Sequence, residues 1–269
     1  MSIRAPRILV FDSGVGGLSI AAAIRQKLPQ ASLLYLADNA CFPYGDQPDE
    51  QVIARSVQLI PALLAQQSAD MVVIGCNTAS TLALPALREA LSLPVVGVVP
   101  AIKPAAALSR NRRLGLLATP ATVRRPYLDA LVAEFAADCD LIRVGSSELV
   151  QLAEASLSCP EPDRAVLAAI TAPFARAGVD TVVLGCTHFP LIRQALAGTL
   201  APEVQWVDSG EAIARRIVSL MAMATDPAEA PTGTPGDRLY FTAAVPPGLE
   251  AWLSRESVRE AAVVGDWRV

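Results

Sequence analysis

The chain has 269 residues, a net charge of −4 and a mean hydropathy of +0.40, and hydrophobic residues make up 52% of it. This length suits one large α/β domain or two of ordinary size, with enough apolar material for a large core. Charges of both signs are scattered without a basic stripe, which argues against a nucleic-acid partner, and no apolar run approaches the roughly 18–20 residues of a membrane-spanning helix.

The N-terminal segment Met1–Arg7 has no apolar stretch before the first predicted strand, so no secretory signal peptide is expected. We therefore expect a soluble, cytoplasmic protein. The five cysteines include no CxxC pair, and with the single histidine His188 they do not form a usual zinc-ligand set. No metal site is expected.

Short segments rich in Val, Ile and Leu alternate with helical patterns along the chain. Most are continuous apolar runs, as expected of parallel strands covered on both faces. Helices are predicted over Gln51–Gln67, Pro126–Ala137 and Asp163–Ala177, and the alternation predicts βα units around parallel sheets. The predicted strands are Ile8–Phe11, Leu33–Ala37, Met71–Gly75, Val95–Val98, Leu114–Ala118, Leu141–Val144, Thr181–Gly185, Gln205–Val207 and Leu239–Thr242.

An internal repeat relates two parts of the chain. The segment Asp70–Thr78 matches Asp180–His188 at an offset of 110, and Arg7–Ser13 matches Arg113–Thr119 at an offset of 106. Because the offsets are similar and much longer than those of solenoid repeats, they predict a duplicated domain. Two similar α/β halves facing each other would form a cleft with approximate twofold symmetry.

The C-terminal part has no counterpart in this repeat. Thr225–Arg238 is rich in Pro, Gly and Ala and is predicted to be an exposed connector. After the last strand given above come a predicted helix around Gly248–Ser257 and a further strand near Ala262–Val264. We expect these elements to complete one of the two halves.

Each half carries a Gly-Cys pair at the carboxyl end of a predicted strand, where ligands bind in open α/β sheets. The first pair, Gly75-Cys76, precedes Asn-Thr, and the second, Gly185-Cys186, precedes Thr-His. A helix N-terminus beyond the cysteine would lower the pKa of its thiol. One such cysteine is more often a small buried hydrophobe, but two at equivalent positions favour a function. A disulfide between them is not expected in a reducing cytoplasm.

Two equivalent thiols suit the inversion of an α-carbon, because one proton must leave one face and another must reach the opposite face. The ordinary thiol pKa of about 8.5 can be shifted close to the operating pH. A pyridoxal-phosphate enzyme would instead need a Schiff-base lysine. Of the two lysines, Lys27 ends a polar helix, and Lys103 is not excluded by its position. We expect no cofactor.

The glycine-rich segment Asp12–Gly17 follows the first strand. It has neither the GxGxxG nor the Walker spacing, so a nucleotide site is not expected. One interpretation is a capped tight turn. The other is that Ser13 and backbone N–H groups hold a substrate carboxylate, with Asp12 near the first thiol or the substrate ammonium.

Two further motifs are candidates for the site. His188 lies two positions after Cys186 and could orient or protonate groups there, although a lone histidine is often structural. Pro43, Tyr44 and Gly45 lie in a long loop, and turn formation explains the proline and the glycine but leaves Tyr44 undecided.

Together these motifs resemble the glutamate racemases of the aspartate/glutamate racemase superfamily. The resemblance implies two Rossmann-like, parallel-sheet domains with pseudo-twofold symmetry and an active site between them. Residues 1–98 plus 208–269 would form the first domain, with Cys76, and residues 99–207 the second, with Cys186. The motifs that carry the resemblance are Asp12–Gly17, Asp38 with Pro43-Tyr44-Gly45, Gly75–Ala79, Leu114–Thr119 and Gly185–Leu191.

The resemblance also implies cofactor-independent interconversion of L- and D-glutamate, which supplies D-glutamate for bacterial peptidoglycan. Cys76 would take the proton from D-glutamate and Cys186 from L-glutamate, with Asp12 and His188 as further catalytic groups. Homodimers are common in the family. The substrate-binding residues would be Asp12, Ser13, Tyr44, Gly45, Asn77, Thr78, Thr119, Thr187 and His188.

Two departures from the family pattern and several alternatives stay open. Pro120-Ala121 replaces an expected glycine before Thr122, and Val144–Leu149 lacks the Cys-Pro that many members carry. The alternative functions within the superfamily are those of an aspartate or hydantoin racemase, a maleate isomerase or a decarboxylase. A periplasmic-type binding protein is the non-enzyme alternative, although it would need no paired thiols.

Overall fold

The computed structural model of the protein describes residues 5–159, 161–223, 236–255 and 261–268. The connector predicted over Thr225–Arg238 lies outside these ranges as far as residue 235. Residues 1–4 of the N-terminal segment and Ser257 of the last predicted helix also lie outside them. Within the described ranges, no helix combines the length and the apolar character that crossing a bilayer requires.

All ten predicted strands are present, and each end agrees with the prediction to within one residue. Most are formed by the continuous apolar runs, whose β-branched and leucine side chains fit a sheet buried on both faces. Two edge strands, Asp140–Gly145 and Ala262–Val264, are only partly buried. The strands are β1 Arg7–Asp12, β2 Ser32–Ala37, β3 Met71–Ile74, β4 Val95–Gly97, β5 Arg113–Ala118, β6 Asp140–Gly145, β7 Thr181–Leu184, β8 Gln205–Val207, β9 Arg238–Phe241 and β10 Ala262–Val264.

The helices connect these strands, and those predicted over residues 51–67, 126–137 and 163–177 are found to within two residues. Short 3-10 turns also occur, including Phe189–Ile192. The α-helices are α1 Leu18–Lys27, α2 Asp49–Gln66, α3 Asn77–Ala90, α4 Ile102–Leu108, α5 Pro120–Val123, α6 Pro126–Phe135, α7 Ser147–Ala155, α8 Arg164–Ala177, α9 Arg193–Ala197, α10 Gly210–Met223 and α11 Leu249–Arg255.

The strands form two parallel sheets, with the order β10-β9-β2-β1-β3-β4 in one and β6-β5-β7-β8 in the other. Within each half, the first four strands are arranged in the order second, first, third, fourth: β2-β1-β3-β4 in the first sheet and β6-β5-β7-β8 in the second. The repeat in the sequence is therefore a repeat in the fold. This confirms the α/β class with two similar parallel-sheet halves. Strands β9 and β10 extend the first sheet beyond β2, as expected of the unrepeated C-terminal elements. The domain boundaries after residues 98 and 207 stay a prediction.

Both faces of each sheet are covered by apolar side chains, because neighbouring residues of a strand point to opposite faces. In β1, Ile8 and Val10 belong to one buried cluster, and Leu9 and Phe11 belong to the cluster on the other face. In the second half, Leu116 and Leu117 divide in the same way. The cores therefore lie between sheet and helices, and the carboxyl ends of the strands are left to form the cleft.

Candidate active site

The two Gly-Cys pairs lie at equivalent ends of β3 and β7. The Gly75 amide donates to the carbonyl of Phe11, and the Gly185 amide donates to the carbonyl of Leu117, both at 2.7 Å. A Cβ atom at Gly185 would come within 2.8 Å of the Leu116 side chain, and one at Gly75 within 3.1 Å of Val10. Glycine therefore lets each strand end close against its neighbour, and the following cysteine leaves the sheet at the same point in both halves.

Cys76 and Cys186 line one cavity, which contains about 290 Å³ of space between atoms. A larger and more open cleft beside Trp252 has neither cysteine nor histidine among its described lining residues. All predicted site residues except Asp12 line the cavity of the two thiols, and Pro43 and Val150 line it as well. The complete lining is Ser13, Pro43, Tyr44, Gly45, Cys76, Asn77, Thr78, Thr119, Val150, Cys186, Thr187 and His188.

Cys76 is buried at the N-terminus of α3, with its Sγ 3.9 Å from the hydroxyl of Ser13. Burial raises the pKa of this thiol well above its ordinary value, and the nearby carboxylate of Asp12 adds to the effect. The helix N-terminus lowers this pKa as expected, through the Ala79 amide, but the net shift is upward. Desolvation in a closed cavity outweighs the favourable end of the helix dipole.

Cys186 is followed by a turn and the 3-10 segment Phe189–Ile192. All residues from 186 to 192 are described, and no α-helix begins among them. Its Sγ lies 3.8 Å from Nδ1 of His188, whose Nε2 lies 2.7 Å from Oε2 of Glu154. Burial opposes the charged ring, but the hydrogen bonds to Cys186 and Glu154 outweigh burial and raise the pKa of His188 well above its ordinary value. Glu154 thus holds the ring of His188 beside Cys186.

Glu154 is the functional candidate that the sequence analysis missed. It lies in α7, one turn after Val150, and its Oε2 also accepts the backbone amide of Val15 at 3.0 Å. The only signal in the sequence is a carboxylate four residues beyond an apolar position, and therefore on the same helix face. That signal could not show that the helix faces His188.

Asp12 is fully buried behind the cavity wall rather than in the lining. Its carboxylate accepts the Gly14 amide at 2.7 Å and the Thr187 hydroxyl at 3.0 Å. Burial raises the pKa of Asp12 to about 6, against the opposing effects of His188 and the hydrogen bonds. The residue therefore titrates near neutral pH and connects the first half to Thr187 of the second.

The glycine loop makes room for groups of the other half. A Cβ atom at Gly14 would come within 2.7 Å of Glu154, and one at Gly16 within 2.3 Å of Nδ1 of His188. The amides of Gly14 and Val15 are already hydrogen-bonded to Asp12 and Glu154. Those two amides therefore already have acceptors within the protein, and carboxylate binding by Ser13 and other backbone amides of this loop stays a prediction.

Tyr44 is held in the cavity wall by a buried carboxylate. Its hydroxyl donates to Asp38 at 2.6 Å, and Nε of Arg55 donates to the same oxygen at 2.8 Å. Burial first, and then the negative Asp38, raise the pKa of Tyr44 far above its ordinary value, so the phenol stays protonated. Thr242 also donates to Asp38, which ties the loop to the C-terminal strands. No pattern in the sequence pointed to Arg55.

Two polar residues of the lining differ in how far their hydrogen bonds are satisfied. Oδ1 of Asn77 is buried and has no hydrogen-bond partner among the described residues. Thr119 caps α5, accepting the Thr122 amide at 3.2 Å, with Pro120 in the first turn. The Pro120-Ala121 departure is thus compatible with a short helix, because proline is favoured at the first helical position. Asn77 retains an acceptor for a donor on a ligand.

Neither lysine belongs to the cavity. Lys103 lies over the ring of Phe135, with Nζ 5.0 Å from the ring centroid, and Lys27 lies near Glu211 at 3.9 Å. Among the described residues, no three His, Cys, Asp or Glu side chains are arranged as ligands for a metal ion. The groups that can move protons in this cavity are the two thiols, with His188, Glu154 and Asp12 behind them.

Sequence comparison gives matches over nearly the whole chain. A family profile described as Asp/Glu/Hydantoin racemase matches residues 18–217. A glutamate racemase of Shewanella loihica is 49% identical, and the match covers 96% of each chain. A glutamate racemase of Pectobacterium carotovorum is 49% identical over 92% of this chain and 86% of its own.

Solved structures give the same result for the fold. An Escherichia coli glutamate racemase, in complex with L-glutamate and the activator UDP-MurNAc-ala, has a TM-score of 0.89 and 42% identity, covering 97% of this chain and 98% of that one. A glutamate racemase isoform of Bacillus anthracis has a TM-score of 0.81 and 28% identity, covering 96% of each chain. Both halves and the cleft between them are included in these matches.

Proposed function

This chain belongs to the Asp/Glu/hydantoin racemase family, and from that premise we propose that it is a cofactor-independent glutamate racemase. It interconverts L- and D-glutamate by moving protons between two thiols and the α-carbon. The observation that supports this most directly is that Cys76 and Cys186, at equivalent strand ends, line one cavity.

The proposed reaction is a 1,1-proton transfer. With D-glutamate bound, the Cys76 thiolate removes the α-proton to leave a planar carbanion, and the Cys186 thiol gives a proton to the opposite face. With L-glutamate the two roles are exchanged. His188 and Glu154 assist Cys186, and Ser13 assists Cys76, in keeping with the pairing of their side chains. Asp12 acts on Cys76 through its charge. General acid–base groups of this kind contribute about 10²- to 10⁴-fold each.

Substrate binding would lower the pKa of the Cys76 thiol towards the pH at which the enzyme works. Two opposite charges 4 Å apart interact by about 4 kcal/mol at an effective dielectric constant of about 20. That is equivalent to about three pKa units. A substrate ammonium close to Cys76 would therefore offset much of the effect of burial, which raises the pKa of the thiol.

Neutral groups hold the substrate in this proposal. The free Oδ1 of Asn77 accepts a hydrogen bond from the substrate ammonium. The hydroxyls of Ser13 and Thr78 and the first amides of α3 donate hydrogen bonds to the carboxylate oxygens. Tyr44 contributes its ring and Gly45 its backbone, because the Tyr44 hydroxyl is already bonded to Asp38. Thr119, Thr187 and His188 complete the binding set.

We place the enzyme in the cytoplasm, where its D-glutamate would supply peptidoglycan synthesis. A homodimer is part of the proposal. Light scattering of the purified protein measures the oligomeric state directly, and a monomer at micromolar concentration would remove that part. Neither location nor assembly is needed for the proton transfer itself.

Replacing either thiol tests the mechanism. Cys76→Ser and Cys186→Ser are each expected to lower kcat by about 10²- to 10⁴-fold, because a serine hydroxyl is a far weaker acid than a thiol and is not ionised to a base near neutral pH. Circular dichroism follows racemisation of each enantiomer, and in deuterium oxide the product should carry deuterium at the α-carbon. Cys159→Ser, at an exposed site, is the control and should keep wild-type rates. Full activity in both cavity variants would overturn the proposal, and turnover of aspartate but not glutamate would change the substrate.

A further inference from the structure

Phe42 crosses from the first half to the second. It precedes Pro43 in the loop after β2, yet its ring packs against the second half's core cluster, which includes Leu149 and Phe189. Its ring centroid lies 5.4 Å from that of His188, with 38° between the ring planes. The first half thus supplies one side of the surroundings of the second half's histidine.

The ring of Phe42 does not line the substrate cavity, unlike Pro43 next to it. It lies over Gly14, where an added Cβ atom would be 2.8 Å from the ring and 2.7 Å from Oε2 of Glu154. The ring, the Glu154 carboxylate and His188 therefore share one small space. Phe42 can influence His188 and Glu154 without touching a bound substrate.

The charged groups around His188 are largely shielded from solvent. Cys186 faces Nδ1, Glu154 faces Nε2, and Asp12 interacts with the ring from the end of β1. The buried phenol of Tyr35 lies beyond Asp12. The His188 side chain is 3% exposed and that of Glu154 is 17% exposed. Interactions between charges are stronger where water is excluded, so whatever covers this pair sets its strength.

We propose that Phe42 is a positioning residue for proton transfer at Cys186: its ring holds His188 against Cys186 and Glu154 and keeps water away from them. This inference rests on the proposed two-thiol function. It explains why the aromatic side chain leaves its own half to pack on the other, and it makes the Cys186 side of the site depend on closure of the cleft.

Truncating the ring has a defined consequence. In Phe42→Ala, water reaches His188 and Glu154, and the pKa of His188 should fall by about one unit or more towards its ordinary value of about 6.5. The alkaline limb of kcat/KM should move to lower pH by the same amount. The value of kcat/KM should fall about tenfold for both enantiomers, since one acid–base group is weakened rather than removed. Phe42→Leu keeps apolar bulk without the ring, and we expect a smaller shift.

The chain contains one histidine, so NMR of ¹⁵N-histidine-labelled protein, prepared without a histidine tag, reports the His188 titration without assignment. Phe135→Leu is the matched control, because Phe135 is a half-buried ring of the second half that contacts Lys103 rather than the site. A shifted His188 titration in both Phe42 variants, but not in the control, supports the inference. An unchanged titration in folded Phe42→Leu or Phe42→Ala overturns it. Because the titration is read without turnover, this outcome is distinct from active Cys76→Ser and Cys186→Ser enzymes, which would overturn the two-thiol mechanism.

Discussion

The carboxylate of Asp12 is held in surroundings that oppose its charge. It is fully buried, and its folded-state pKa of about 6 lies above the ordinary value of 3.8. Two donors, the Gly14 amide and the Thr187 hydroxyl, do not offset the loss of water. An ionised Asp12 is therefore kept at a cost in stability, as is common for groups with a role in chemistry.

Asp12→Asn should stabilise the fold at alkaline pH while lowering activity. Because the folded-state pKa is raised, the contribution of Asp12 to stability is fully present below about pH 4 and is lost as the pH rises through about 6. The loss amounts to about 3 kcal/mol. Urea unfolding at pH 4, 6 and 8 should show the variant gaining on the wild type as the pH rises. Asp129→Asn, at a largely exposed carboxylate, is the control. A pH-independent difference for Asp12→Asn would contradict this account.

The connection between β1 and α1 makes room for side chains of the other half. Its glycines leave space for Glu154 and His188, which come from α7 and the end of β7. The Val15 amide adds a hydrogen bond to Glu154. The composition of this segment is therefore set by side chains more than a hundred residues away.

Gly16→Ala tests whether His188 needs the space that this glycine leaves. The new methyl group would lie 2.3 Å from Nδ1 of His188, so His188 must move away from Cys186, and we expect kcat/KM to fall at least about tenfold. Gly198→Ala is a matched control, because its Cβ atom would be no closer than 3.4 Å to any neighbour. Wild-type kinetics in Gly16→Ala, with a normal thermal unfolding curve, would show that His188 needs no such space.

At the scale of the whole molecule, polar contacts join the two halves beside the cavity. The guanidinium of Arg125 donates to both oxygens of Asp49, each at 2.6 Å, and the Ser147 hydroxyl donates to Asp46 at 2.8 Å. The two aspartates come from the first half, where Asp46 follows Gly45 in the loop and Asp49 lies in the first turn of α2. They hold the first half closed against α5, α6 and α7 of the second.

Asp49→Asn should loosen this closure. A half-exposed ion pair contributes about 0.2–1 kcal/mol, so we expect KM for both enantiomers to rise by up to about fivefold, with a smaller change in kcat. Added salt should raise KM of the wild type more than that of the variant. Asp129→Asn is the control, since Asp129 also lies in the first turn of a helix and pairs with Arg143 within one half. An equal rise in KM in that control would assign the effect to lost charge rather than to closure.

Much of this protein is determined by local features of the sequence. The apolar runs define most of the strands, because a strand buried on both faces must be apolar throughout. The edge strands β6 and β10 are only partly buried. The repeat predicts the shared strand order, and glycine before each cysteine follows from the close contact of neighbouring strands. The paired thiols could therefore be identified from the residues themselves.

Other features were decided only by the tertiary structure. The sequence does not show that Glu154 contacts His188, that Arg55 lies behind Tyr44 or that Phe42 packs across the cleft, since each depends on a contact between residues that are separated in the chain. The direction of the pKa shift of Cys76 is of the same kind. The helix N-terminus can be predicted from sequence, but desolvation depends on every group that closes the cavity, and here desolvation is the larger effect.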